Sequence, residues 1–375
     1  MCRQGAHTRA IGESTAWRRT GVLARDVSIA LTAALTAWAY CVQPAAAGSA
    51  VVFDLEDGHV LYAEDIDAPW YPASLTKMMT AYLAFTAIRD KRATKETKIF
   101  MSPAANRQPP TRLGLKVGKE ITLDDALRAL IMRSANDVAV AIAEALGGDE
   151  ASFIKEMNQT AARLGMAHTH FINPHGLPAE QQVTTARDMG LLAQALLRDF
   201  PEEAPLYALT QATIGKITIG THNALLTSFP GGDGIKTGYT CASGYNLAAS
   251  ATRNGRRMIA VILGESTSGA RTARAAALLE NGFRTREWKT AFPIARIQNY
   301  PSEVVGAGFE PDAMMLERFR ACKAPPPPPP QETASAATAA GNGNGKPNAK
   351  SDVKKVSAKP TVKKTVKKRK RRVQQ

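Results

Sequence analysis

Ser74, Lys77, Ser134, Asn136 and Lys236 are residue types that together can attack a carbonyl without histidine or metal. They stand in three motifs in fixed order: Ser74-Leu75-Thr76-Lys77, Ser134-Ala135-Asn136 and Lys236-Thr237-Gly238. A hydroxyl nucleophile, two amines, a second hydroxyl and a side-chain amide are thereby supplied. Order and setting carry the signal, because Ser-x-x-Lys alone is expected about once by chance in a chain of this length. Two further copies, Ser152 to Lys155 and Ser351 to Lys354, lack the partners that would follow. Lys-Thr-Gly is rarer, with roughly 0.1 chance matches expected.

Each motif predicts a setting. Ser74 follows Pro72-Ala73 at the start of a helical run, Leu75 to Ile88, so Ser74 and Lys77 share one face at i and i+3. Helix-start amides there favour negative charge near the hydroxyl. Burial would lower the Lys77 pKa and let the amine accept the Ser74 proton. Ser134 and Asn136 fall between the helices Asp124 to Arg133 and Val138 to Leu146, where a loop can turn both into a cleft. Lys236-Thr237-Gly238 follows a Gly-rich turn and opens a strand, and a glycine there lets a second backbone approach. A peptide could pair along that strand. Each motif alone also fits an ordinary role: helix caps for Ser74, Ser134 and Asn136, and a solvated cation for Lys236.

The elements around the motifs alternate in a definite way. Ala50 to Asp54, Asp57-Gly58 and His59 to Tyr62 read as a hairpin; so do Tyr245 to Thr252, Asn254-Gly255 and Met258 to Gly264. Helical runs cover Ser152 to Leu164, Thr185 to Arg198 and Ala270 to Phe283. Strands at both ends with helices between predict one antiparallel sheet covered by helices, an α+β layered fold. Trp288 to Arg320 has mixed character that allows short strands.

The net charge of +15 is unevenly placed. Lys346 to Gln375 holds 13 Lys and Arg against one Asp, and Met1 to Ala47 holds five Arg against Glu13 and Asp26. Residues 48–345 are therefore neutral overall, and the basicity is an attachment. Arginines, the apolar run Val27 to Val42 and Ala45-Ala46-Ala47 read as an export signal, with Gly48 the first mature residue. The expected organisation is a signal peptide at 1–47, a catalytic domain at 48–286 and a short extension at 287–324. A Pro-rich then Ala/Gly/Asn-rich linker follows at 325–348, and a Lys-rich tail at 349–375. Export places the chain in the periplasm or cell envelope, so no nucleic-acid partner is expected; the tail suits an anionic envelope surface. Of Cys2, Cys41, Cys241 and Cys322, two leave with the signal and two are far apart, so neither a disulfide framework nor a zinc site is expected. His168-Thr169-His170 has no cysteine or carboxylate company, and no metal or cofactor is expected.

With their flanks, the motifs resemble the penicillin-binding, serine D-alanyl-D-alanine carboxypeptidase family, peptidase family S11. The likeness rests on Pro72 to Thr80, Ser134-Ala135-Asn136-Asp137, Phe171 to Leu177 and Gly234 to Thr240, and runs from about Ala50 to Phe283. The resemblance implies a β-lactamase/penicillin-binding transpeptidase-like fold with an added helical subdomain. It implies removal of the terminal D-Ala from peptidoglycan stem peptides, with β-lactams as covalent inhibitors. Ser74 would form the acyl-enzyme, Lys77 would act as base, and Ser134 would assist proton transfer. Asn136, Lys236, Thr237, Gly238 and Tyr239 would bind substrate, the Ser74 and Tyr239 amides forming the oxyanion hole. Arg271 would clamp the terminal carboxylate, with Arg274 the neighbour most easily confused with it. No Glu-x-x-x-Asn setting lies between Asn136 and Lys236, so the deacylating glutamate of a class A β-lactamase is not in evidence. An endopeptidase acting on cross-links, or an envelope-binding protein with a vestigial site, shares these features.

Overall fold

A computed structural model describes residues 48–301 and 310–323, all within the first of the chain's two units, Met1–Ala324. The expected signal segment, the linker and the Lys-rich tail lie outside the described residues.

The chain opens with the hairpin β1 (Ala50–Asp54) and β2 (Val60–Glu64). A helical region follows: α1 (Lys77–Arg89), a small hairpin β3–β4 (Lys98–Phe100, Glu120–Thr122), α2 (Asn136–Gly147), α3 (Glu150–Arg163) and α4 (Ala186–Asp199). A second small hairpin, β5–β6 (Gln211–Ile214, Ile217–Gly220), precedes three long strands: β7 (Gly232–Thr240), β8 (Gly244–Arg253) and β9 (Arg256–Glu265). Helices α5 (Ser268–Thr290) and α6 (Ala313–Lys323) complete it. The main sheet is antiparallel with order β2-β1-β9-β8-β7. The first hairpin thus pairs with the last strand, and β7 is left at an edge.

Period-two alternation divides the buried strand residues between two cores. In β9, Met258, Ala260 and Ile262 face a cluster with Ala275 and Leu279 of α5. Ile259, Val261 and Leu263 face the larger cluster built from the helical region. Both faces are covered, which is why these strands read as nearly continuous apolar runs. Helix α1 lies in the larger core with most of its residues buried, so it shows no polar stripe. Thr185 caps α4 through the Asp188 N–H (3.1 Å), and Thr267 caps α5 through the Ala270 N–H (3.0 Å).

Beyond the catalytic motifs, two sequence expectations need correction. The described part of Trp288 to Arg320 forms no strand; Arg296 makes one isolated bridge to His59, and α6 occupies the end. Arg187 fixes this stretch, bonding Asp67 at 2.6 and 2.7 Å and the carbonyls of Ile297 (2.8 Å) and Tyr300 (2.9 Å). Cys241 and Cys322 form a disulfide across 81 residues. Sequence distance hid it: the fold returns α6 to the turn between β7 and β8, where Met315 and Phe319 pack with Tyr71, Val183 and Ala242.

Candidate active site

Ser74 lies in a 3-10 turn, Ala73–Thr76, and Lys77 is the first residue of α1. The sequence predicts a helical run from Leu75 to Ile88; its first turn is 3-10 instead of α. The 3-10 turn superposes side chains three residues apart more closely than an α-helix does. Lys77 Nζ is 3.0 Å from Ser74 Oγ. Two residues outside the motifs fix this turn. Asn246 Nδ2 donates to the carbonyls of Tyr71 (2.9 Å) and Pro72 (3.2 Å), and its Oδ1 accepts the Gly264 N–H (2.9 Å). Gly176 has φ +84°, and a Cβ there would sit 1.8 Å from the Ala73 carbonyl oxygen. Only glycine permits that approach.

Lys77 is fully buried. Its Nζ also bonds Asn136 Oδ1 (2.7 Å) and the His175 carbonyl. Burial, with Lys236 adding repulsion and Asp137 opposing it, holds the Lys77 pKa well below the usual lysine value. His175 is pushed down to about 3, by burial and then by Lys77. It is therefore neutral, with Nδ1 accepting the Leu177 N–H (3.1 Å).

A π-helical turn, Ala129–Arg133, ends at Ser134, whose φ of 58° is left-handed. Such backbone is strained for a serine and needs support. Thr111 Oγ1 donates to the Ser134 carbonyl at 2.8 Å, and Asn136 N–H donates to the Thr111 carbonyl at 2.8 Å. Asn136 Nδ2 donates to Pro109 (2.9 Å), while Asp137 accepts the N–H groups of Leu113 (3.0 Å) and Gly114 (2.8 Å). Ser134 and Asn136 are thereby aimed into the space beside Ser74.

Strand β7 forms the opposite wall. Lys236 is buried, with Nζ 3.0 Å from Ser134 Oγ and 2.7 Å from the Thr237 carbonyl. Burial, then Arg271, brings its pKa down to about 7. A Cβ on Gly238 would stand 3.2 Å from the Ser74 backbone nitrogen, so this strand passes directly over the Ser74 turn. Tyr239 stacks on Tyr245 at 4.2 Å.

The two arginines separate cleanly. Arg271 is buried, lines the cleft and bonds Ser268 Oγ at 3.1 Å; its Nε has no hydrogen-bond partner. Arg274 is held by Glu64 (2.9 Å), Glu265 (2.8 Å) and the Gly48 carbonyl (2.8 Å). A cleft of about 450 Å³ joins Ser74, Ser134, Asn136, Thr237, Gly238, Tyr239 and Arg271. Its lining includes no carboxylate. Lys77 and Lys236 lie behind this lining, buried through bonds to Ser74 and Ser134. Sequence reasoning missed Asn246, which has no motif of its own and holds the Tyr71 and Pro72 carbonyls, and His222, which lines the cleft. Gly176 sat inside the Phe171 to Leu177 stretch, which was the available signal.

The sequence model of the Peptidase_S11 family, described as D-alanyl-D-alanine carboxypeptidase, matches residues 37–267. The chain belongs to this family. Among S11 relatives, D-alanyl-D-alanine carboxypeptidase DacC of Escherichia coli (strain K12) is 38% identical over 247 residues, covering 64% of this chain and 62% of its own length. DacA of Haemophilus influenzae is 35% identical over 242 residues, covering 63% and 62%. The chain thus spans less than two thirds of the length of these curated relatives. S11 resemblance extends to solved structures. Penicillin binding protein 5 from Haemophilus influenzae superposes with a TM-score of 0.61 at 35% identity, covering 64% of this chain and 71% of that one. Penicillin-Binding Protein D2 from Listeria monocytogenes, in its ampicillin-bound form, gives 0.59 at 32% identity, covering 63% and 97%. The fold is the β-lactamase/penicillin-binding transpeptidase-like one.

Proposed function

We propose that this protein is a serine DD-carboxypeptidase that removes the terminal D-Ala from peptidoglycan stem peptides through a Ser74 acyl-enzyme. The observation that carries the reading is the 3.0 Å contact between Ser74 Oγ and the buried Lys77 amine. Burial lowers the Lys77 pKa and so favours the neutral amine, the form that can take the hydroxyl proton. Ser74 Oγ then attacks the carbonyl of the penultimate D-Ala. The Ser74 and Tyr239 amides stabilise the oxyanion, as the close approach of Gly238 to Ser74 permits. The C–N bond breaks, and the leaving amine takes a proton through the Ser134–Lys236 pair. Asn136 and Thr237 orient the peptide, and Arg271 receives its terminal carboxylate. Water hydrolyses the Ser74 ester and releases the shortened peptide. A β-lactam acylates Ser74 in the same way. The ring-opened amine stays tethered to the acyl group where a free D-Ala would leave, and no carboxylate lines the cleft to play the part of a class A β-lactamase glutamate, so the adduct persists.

Release of D-Ala from a stem pentapeptide tests the reading, alongside labelling by a fluorescent penicillin. Wild type should do both, and Ser74→Ala neither. Cleavage of a cross-linked dimer in preference to the pentapeptide would replace the reading by an endopeptidase.

Export is part of the proposal. A disulfide between Cys241 and Cys322 suits an oxidising compartment, in keeping with a signal at 1–47. The Lys-rich tail is assigned to anionic envelope components by charge alone. Deleting residues 346–375 should raise the soluble fraction of envelope preparations at low salt, and an unchanged fraction would remove that assignment.

A further inference from the structure

Helix α6 touches both chain segments that converge on the cleft. On one side Phe319 packs against Tyr71 with ring centroids 5.8 Å apart, and the Arg318 guanidinium lies 4.6 Å from the Trp70 ring centroid. Tyr71 precedes Ser74 by three residues. On the other side Cys322 is covalently bound to Cys241, one residue beyond the end of β7 and two beyond Tyr239. Met315 and Phe319 are buried in this contact. The two segments are otherwise joined here by hydrogen bonds: Trp70 Nε1 to the Ser243 carbonyl (2.9 Å), and Asn246 Nδ2 to Tyr71 and Pro72.

We propose that Phe319 and the Cys241–Cys322 bond are positioning residues for the acylation step: α6 brackets the Tyr71–Pro72 segment to the end of β7 and thereby sets the gap between Ser74 and the Lys236–Tyr239 strand. The gap is narrow, since a Cβ on Gly238 would already crowd the Ser74 nitrogen at 3.2 Å. The oxyanion amides sit on opposite sides of it. Small displacements of reacting groups cost rate steeply, on the order of 10²-fold per ångström. Loss of one bracket among several should therefore slow acylation about tenfold rather than abolish it. The proposal rests on the acyl-enzyme reading above.

The test is the second-order rate of wild-type acylation by a fluorescent penicillin, compared with Phe319→Ala, Phe319→Leu and Cys322→Ser. Wild type treated with dithiothreitol is a further arm. Two electrons and two protons from the dithiol convert the bond to two thiols as the reagent closes to its cyclic disulfide. Cys241 is exposed and accessible to it. Rates are taken well below each melting temperature, so that a loss of stability alone does not register. Phe319→Ala, Cys322→Ser and reduced wild type should acylate about tenfold more slowly. Phe319→Leu should recover most of the rate, and dithiothreitol should leave Cys322→Ser unchanged. Equal rates in all folded variants would overturn the inference while leaving the acyl-enzyme reading intact. Failure of wild type to label would overturn both. Unfolding of every variant and of reduced wild type would make α6 a fold determinant, and so overturn a positioning role.

Discussion

Lys236 Nζ stands 3.0 Å from Ser134 Oγ, joining the edge strand to a left-handed residue 102 positions earlier in the chain. Neither partner faces open solvent. The pair sits beside a second amine–hydroxyl pair, Lys77 with Ser74, and the two amines repel one another. Two buried lysines this close favour at least one neutral amine, which is the form a general base requires.

If the Ser134–Lys236 contact relays the proton to the leaving amine, the two residues act as a unit. Ser134→Ala and Lys236→Ala should each lower acylation by roughly 10²–10³-fold, within the range for general acid–base groups. The double variant should be little worse than either single one. A double-mutant cycle on kcat/KM measures this. Full additivity would separate the two residues functionally.

The Lys236 pKa of about 7 also makes a stability prediction. In the unfolded chain a lysine titrates near 10.4. Between about pH 7 and 10 the unfolded state therefore binds more protons than the folded one, and stability rises with pH across that window. Below about pH 7 both states are protonated and the cost of the buried charge is constant. Lys77 contributes with the same sign. Lys236→Met should thus be more stable than wild type at pH 7, with the difference shrinking toward pH 10. Melting temperatures over that range provide the check; a difference that widens would contradict it.

Arg271 and Arg274 are three residues apart on α5, yet their variants should differ in kind. Arg271→Ala should raise KM for a peptide with a free terminal carboxylate about 10–100-fold. It should leave acylation by a carboxylate-blocked substrate much less affected. Arg274→Ala removes ion pairs to Glu64 and Glu265 and should lower the melting temperature by a few degrees with KM unchanged. Steady-state kinetics on the free and amidated peptides distinguish them.

Gly176→Ala tests the seating of the Ser74 turn. The new Cβ would meet the Ala73 carbonyl at 1.8 Å in a left-handed conformation. Backbone strain alone costs about 1–3 kcal/mol. Penicillin labelling should fall by at least 10²-fold, with a lowered melting temperature measured by circular dichroism. Near-normal labelling would show that the turn does not depend on this approach.

The local chemistry was legible in the sequence because it is carried by short-range rules. Ser74 and Lys77 are three residues apart, the Asn254-Gly255 hairpin is closed by its own turn, and alternation in β8 and β9 follows from a sheet buried on both faces. What tertiary structure decided lies at long range. It made the Ser74 turn 3-10 rather than α, and set it between Asn246, which bonds the Tyr71 and Pro72 carbonyls, and Gly176, which abuts the Ala73 carbonyl, both about a hundred or more residues away. It tied Arg274 to Glu64 and Glu265 and left Arg271 lining the cleft. It also paired Cys241 with Cys322, which no spacing rule anticipates. By itself the sequence determined which reactive groups exist and which helices and strands carry them. Only the packing of sheet against helices could bring Lys236 to Ser134 and β7 over Ser74, because local backbone preferences do not specify distances between segments far apart in the chain.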